Sequence, residues 1–175
     1  VKPHRAWGLV TVLAALAGSA GAHSASDAYL TISGTGQAAA PLQGQWDVAL
    51  RDLDFVLGLD ADGDGNITWA ELKRRQADIS RYVMAGLKLS SGEHTCRITP
   101  GRQLVDRRAD GSYAALFFDI DCGPGARTLT LDYSLFFKID PSHRAILVSR
   151  QGSDAATGLL SPEHARVELR LRPPR

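Results

Sequence analysis

Apolar and polar positions change their rhythm several times along the chain. Residues 7–16 are an apolar run closed by the small residues Ala17-Gly18-Ser19-Ala20-Gly21-Ala22. Residues 28–32 are strand-like up to Ser33-Gly34-Thr35-Gly36, and Leu42, Gly44, Trp46, Val48 and Leu50 then alternate with polar or small residues. This period of two predicts two early strands. Leu50, Leu53, Phe55 and Val56 have mixed spacing, which predicts a short helix over residues 51–57 that stops near Gly58. Leu72, Ile79, Val83 and Leu87 recur at helical spacing, with Lys73, Arg74, Arg75 and Asp78 elsewhere on the cylinder. An amphipathic helix from Trp69 to about Gly86 follows.

Beyond Leu87 the period returns to two. Residues 96–98, 103–107, 113–119, 128–133, 146–150 and 166–171 are short β-like runs separated by Gly, Pro, Asp or Ser. Asp110-Gly111 between two of them predicts a two-residue hairpin turn of type I′, which needs positive φ at both central positions. Short strands at this spacing predict a mostly β fold with some α: an antiparallel, Ig-like β-sandwich carrying an early helix-loop-helix. The expected organisation is one domain over residues 23–175, with the helical insertion at about 50–86 and a frayed Pro173-Pro174-Arg175 end.

Composition adds a compartment. The 175 residues are 44% hydrophobic with a formal net charge of +1, which suits one globular domain and offers nothing to a polyanion. Nucleic acid is therefore excluded as a partner, and Lys73-Arg74-Arg75 reads as a solvated helix face. Lys2, His4 and Arg5 precede the apolar run, and Ala20-Gly21-Ala22 fits the small-x-small rule for cleavage before His23. Residues 1–22 are thus expected to be a signal peptide, and the mature protein periplasmic or secreted. The rival reading is a retained anchor, although the run is shorter than the roughly 20 residues that span a bilayer. No later run is long enough, so the mature chain is expected to lack a membrane span. Cys96 and Cys122 are the only cysteines, and export favours a disulfide over free thiols or a metal pair. Closing that loop is worth about 3 kcal/mol in the chain-entropy model.

The most specific chemistry lies between the two predicted helices. Asp60-Ala61-Asp62-Gly63-Asp64-Gly65-Asn66-Ile67-Thr68-Trp69-Ala70-Glu71 matches the twelve-residue EF-hand pattern. Asp60, Asp62 and Asp64 occupy positions 1, 3 and 5. Gly65 takes the sharp bend, Asn66 offers its backbone carbonyl, Thr68 ligates directly or through water, and Glu71 offers both oxygens. Ile67 at position 8 is expected to anchor the loop to the core. Four carboxylates so close together repel one another unless a hard cation sits between them, and Ca²⁺ tolerates such crowding better than Mg²⁺. Sensor hands act in pairs and open a Met-rich groove. One loop and a single methionine, Met84, predict a structural ion instead.

The string Gly44-Gln45-Trp46-Asp47-Val48-Ala49-Leu50-Arg51-Asp52-Leu53-Asp54, leading into this loop, resembles the extracytoplasmic N-terminal region of HupE/UreJ-like membrane proteins. His23-Ser24-Ala25-Ser26-Asp27-Ala28-Tyr29-Leu30 and Asp140-Pro141-Ser142-His143-Arg144-Ala145-Ile146-Leu147 are similar to it too, so the resemblance covers most of residues 23–150. In that family the exported domain precedes transmembrane helices linked to hydrogenase or urease accessory function and proposed nickel or cobalt uptake. The residues up to Arg175 include no such helices, so transport is not carried over. The resemblance implies a partner or sensor module for a membrane protein at the outer face of the inner membrane.

Two alternatives stand beside the calcium reading. A mature chain beginning at His23 would offer an amine and an imidazole to Ni²⁺ or Cu²⁺, with His143 or another His as a further ligand, making a periplasmic metal-binding accessory protein for a membrane metal transporter. The plainer expectation is that His143, after the Asp140-Pro141 turn, satisfies loop hydrogen bonds, and that His94 and His164 are surface residues. The other alternative is a hydrolase with a site dispersed in sequence. No Gly-x-Ser-x-Gly, HExxH or phosphate loop is present, and Asp119 and Asp121 read as acidic edge residues, so no catalytic residue is expected. Trp46, Phe117, Phe118, Phe136 and Phe137 are expected to be mainly core, with an interaction surface as the competing use.

Overall fold

The computed structural model describes residues 26–34 and 42–171; the expected signal peptide, His23 and the Pro173-Pro174-Arg175 end lie outside the described residues. Two strands come first, β1 (Asp27–Gly34) and β2 (Leu42–Ala49). They lead into helices α1 (Leu50–Leu57) and α2 (Trp69–Ala85). Then come β3 (Leu87–Ser91), β4 (His94–Thr95), β5 (Arg97–Arg108), β6 (Gly111–Asp121) and β7 (Thr128–Tyr133). The last three are β8 (Arg144–Gln151), β9 (Asp154–Leu160) and β10 (Arg166–Arg170). The mostly β chain with an early helix pair is as the period of the apolar positions predicts.

The strands form a six-stranded sheet in the order β5-β6-β2-β1-β8-β9 and a four-stranded sheet in the order β10-β7-β3-β4. Leu30, Ile32, Trp46 and Leu116 of the first share one hydrophobic cluster with Leu89, Leu129, Leu131 and Tyr133 of the second. Leu53, Leu72, Ile79 and Val83 bring both helices into the same core. Full burial of one such side chain is worth about 1.5–3 kcal/mol. Trp46 and Tyr133, from opposite sheets, meet with ring centroids 5.3 Å apart.

The expected antiparallel pairing gives way at one place. β1 runs parallel to β8, with Ala28 opposite Ala145 and Leu30 opposite Leu147. No hairpin joins these strands, so turn geometry does not dictate their direction. The hairpin between β5 and β6 also differs from expectation. Arg108 pairs with Gly111, so the turn residues are Ala109 and Asp110. Neither has positive φ, which rules out type I′; Gly111 itself, at φ 152°, starts β6.

Two expected runs, 96–98 and 103–107, are one strand. Pro100 and Gly101 read as a break but form a bulge between Pro100 and Gln103 in edge strand β5, where a missing N–H costs least. β4 and β9 carry too little alternation to be read, and Leu87, counted at helical spacing, instead begins the short strand β3 with Leu87 and Leu89 buried. Gly86 does end α2, yet without the left-handed cap that glycine usually supplies. A Cβ there would lie 2.9–3.0 Å from Leu135, including its backbone.

The Cys96–Cys122 disulfide forms as expected. Cys96 donates its backbone N–H to Leu89 O of β3, and the next residue begins β5. The bridge therefore ties the point where the chain leaves one sheet to the end of β6 in the other. No helix among the described residues is long and apolar enough to cross a membrane.

Candidate functional site

Residues 58–68 connect α1 to α2, and hydrogen bonds fix both ends of the connection. Asp54 Oδ1 on α1 accepts the N–H groups of Leu59 (2.6 Å) and Asp60 (2.9 Å). Arg75 on α2 donates to Gly58 O at 3.1 Å, drawing the second helix back onto the end of the first. Leu59 is fully buried, and Ile67 packs against the core as its position predicts.

Inside the loop, carboxylates organise the backbone. Asp60 accepts Gly63 N–H through Oδ1 and Gly65 N–H through Oδ2, both at 2.8 Å. Gly65 has φ 81°, a left-handed conformation that a Cβ would strain, although nothing stands within 4 Å of one. Asp64 Oδ1 accepts Asn66 N–H at 2.7 Å, a local turn bond that holds this carboxylate along the chain.

Glu71 closes the arrangement. It is buried at 4% exposure, in the first turn of α2. Its Oε1 accepts Ala61 N–H at 2.7 Å, across the loop. Its Oε2 accepts the Thr68 hydroxyl (2.7 Å) and the Thr68 N–H (2.8 Å). Glu71 N–H donates back to Thr68 Oγ1 at 3.3 Å, so the pair forms a capping box that also starts the helix. The Thr68 hydroxyl and then the Thr68 and Ala61 N–H groups hold the Glu71 carboxyl down to about 2, ionised at any physiological pH.

Oxygens of Asp60, Asp62 and Glu71 lie within 4.8 Å of one another. Ligand oxygens about 2.3–2.6 Å from a shared Ca²⁺ can be no more than about 5 Å apart, so this spacing suits such an ion. Of the six residues expected from the sequence, the structure brings together these three. Asp64 lies outside the trio, Thr68 serves as the helix cap, and the Asn66 side-chain amide donates to Asp64 O.

A second polar cluster, unread in the sequence, lies at the other end of α1. Ser26 Oγ donates to Asp52 Oδ2 (2.8 Å) and is 2.7 Å from His143 Nδ1. His143 Nε2 is 2.8 Å from the Tyr133 hydroxyl. The Ser26 proton is committed to Asp52, so Nδ1–H donates to Ser26 Oγ. His143 has no exposed surface, and burial lowers its pKa, outweighing the opposing carboxylates of Asp52, Asp140 and Asp27. That disfavours a second ring proton, so His143 is neutral and Nε2 accepts the Tyr133 O–H. With both nitrogens engaged, a metal could bind His143 only by breaking one of these bonds. The chain Asp52–Ser26–His143 also lacks the carboxylate–imidazole contact of a nucleophilic triad, since the serine stands between the two.

His94 and His164 are exposed, as expected. Asp119 and Asp121 belong to β6, an interior strand, so they are exposed end residues rather than edge ones. Trp46, Phe118 and Phe136 are buried in the core. No protein-family model matches the chain, and no curated protein matches it.

Proposed function

We propose that Asp60 to Glu71 is an EF-hand calcium loop and that the bound ion clamps α1 and α2 to an exported, Ig-like sandwich domain acting as a non-catalytic binding or accessory module. The observation that carries this reading is the convergence of Asp60, Asp62 and Glu71 oxygens within 4.8 Å, between two helices already fixed by Asp54 and Arg75. The twelve-residue spacing supports it, because Asp64, the Asn66 carbonyl and Thr68 stand at the positions from which such a loop supplies its further oxygens. Both helices contribute to the core, so an ion joining them acts on the whole fold rather than on a detachable arm. The signal-like first residues support a location outside the cytoplasm, where loops of about 10⁻⁴–10⁻³ M affinity serve as staples. The resemblance to HupE/UreJ-like N-terminal regions suggests a membrane protein at the outer face of the inner membrane as its partner.

Thermal melting with calcium and with chelator tests this directly. Calcium at a hundred times its dissociation constant should stabilise the protein by about 2.7 kcal/mol while far-ultraviolet dichroism stays constant. A Glu71→Gln variant, which can retain the cap but loses the bidentate carboxylate, should lose that response. Superimposable melts of the wild type with and without calcium would end the proposal.

A further inference from the structure

We propose that β9 is a docking edge for a second copy of this chain, which adds its own β9 antiparallel and joins two six-stranded sheets into one. The two sheets end at four edges, β5, β9, β10 and β4. Folded proteins blunt such edges with charge, proline, bulges or brevity, because unpaired backbone groups recruit other strands. β5 carries Pro100, a bulge and the charges Arg97, Arg102, Asp106, Arg107 and Arg108. β10 alternates Arg166, Glu168 and Arg170, and β4 is only two residues long. None of these devices protects β9. Its register with β8 is unbroken from Asp154 to Leu160, its first six residues are exposed, and its one charge is at its start.

The strand is complementary to itself. Thr157 is its midpoint, so a two-fold axis there gives full overlap. It sets Thr157 against the partner's Thr157, Ala156 against the partner's Gly158 and Ala155 against the partner's Leu159. Leu159 is 59% exposed in one protomer and would lie across from a small side chain. Asp154 falls opposite the partner's Leu160, so no like charges oppose. Thr–Thr pairs and large–small pairs both favour cross-strand packing. A single seven-residue ladder is smaller than a standard interface, so the association is of the weak, concentration-dependent kind.

Sedimentation velocity over a concentration series tests the proposal, with circular dichroism confirming the fold of each variant. The wild type should pass from monomer to dimer as concentration rises. Thr157→Lys and Thr157→Glu each set like charges across the axis and should both stay monomeric, whereas their equimolar mixture should recover the dimer. A wild type that remains monomeric throughout, a dimer that persists in both charge variants, or a mixture that does not recover it would each overturn the proposal.

Discussion

His143 shows what a buried histidine asks of its neighbours. Its neutral form is fixed at one nitrogen by Ser26 and at the other by Tyr133. Tyr133→Phe leaves Nε2 buried without a donor, and an orphaned acceptor costs about 1–3 kcal/mol, which urea unfolding would detect. The same residue predicts a pH dependence. Its native pKa lies below the ordinary 6.5, so between those two values the unfolded chain holds a proton that the native state refuses. Stability is therefore full above about pH 6.5, declines as pH falls below it, and levels off at the native pKa. Urea midpoints across this window should fall with pH in the wild type and be nearly flat there in His143→Gln. At this scale the Asp60–Asp62–Glu71 cluster was legible because its members lie within twelve residues of one another and the spacing is itself the signal. The Ser26–Asp52–His143–Tyr133 cluster was not, because its members come from four separate segments and meet only through the fold.

At the scale of elements, periodicity located strands such as β1 and β7, and it missed β3, whose Leu87 was counted with the helix before it. β1 and β7 alternate cleanly between buried and partly buried positions. β9, exposed over six residues, has no such contrast to display. The packing role of Gly44 was equally silent, since close approach leaves no local pattern. Gly44 in β2 lies under the ring of its cross-strand partner Phe118, and a Cβ there would fall 2.1 Å from ring carbon Cζ. Gly→Ala in a strand is ordinarily favourable. Here overpacking should reverse the sign, with Gly44→Ala losing about 1–3 kcal/mol in denaturant unfolding. The start of α2 was legible from its apolar spacing, and the local capping box of Thr68 and Glu71 there went unread. Thr68→Ala should cost the apo protein about 1 kcal/mol, read from its thermal melt in chelator.

Across the whole molecule, the disulfide and the shared core hold the two sheets in one unit. Cys96–Cys122 closes a separation of 26 residues, so reduction should lower stability by about 3 kcal/mol, seen as a shifted urea midpoint with and without reductant. The pairing of cysteines was readable by elimination, since there are only two. The direction of β1 against β8 was not, because parallel strands far apart in sequence leave no turn to betray them. That pairing also sets an order of assembly. β1 is at the middle of the six-stranded sheet, yet one of its neighbours begins only at Arg144. A chain emerging from a ribosome or a translocation pore, first residue first, must keep that flank of β1 unpaired until most of its length is free. Contacts so distant in sequence are entropically slow to close. The domain therefore completes its larger sheet late, and its strand edges are open to wrong partners for most of the time it takes to be made.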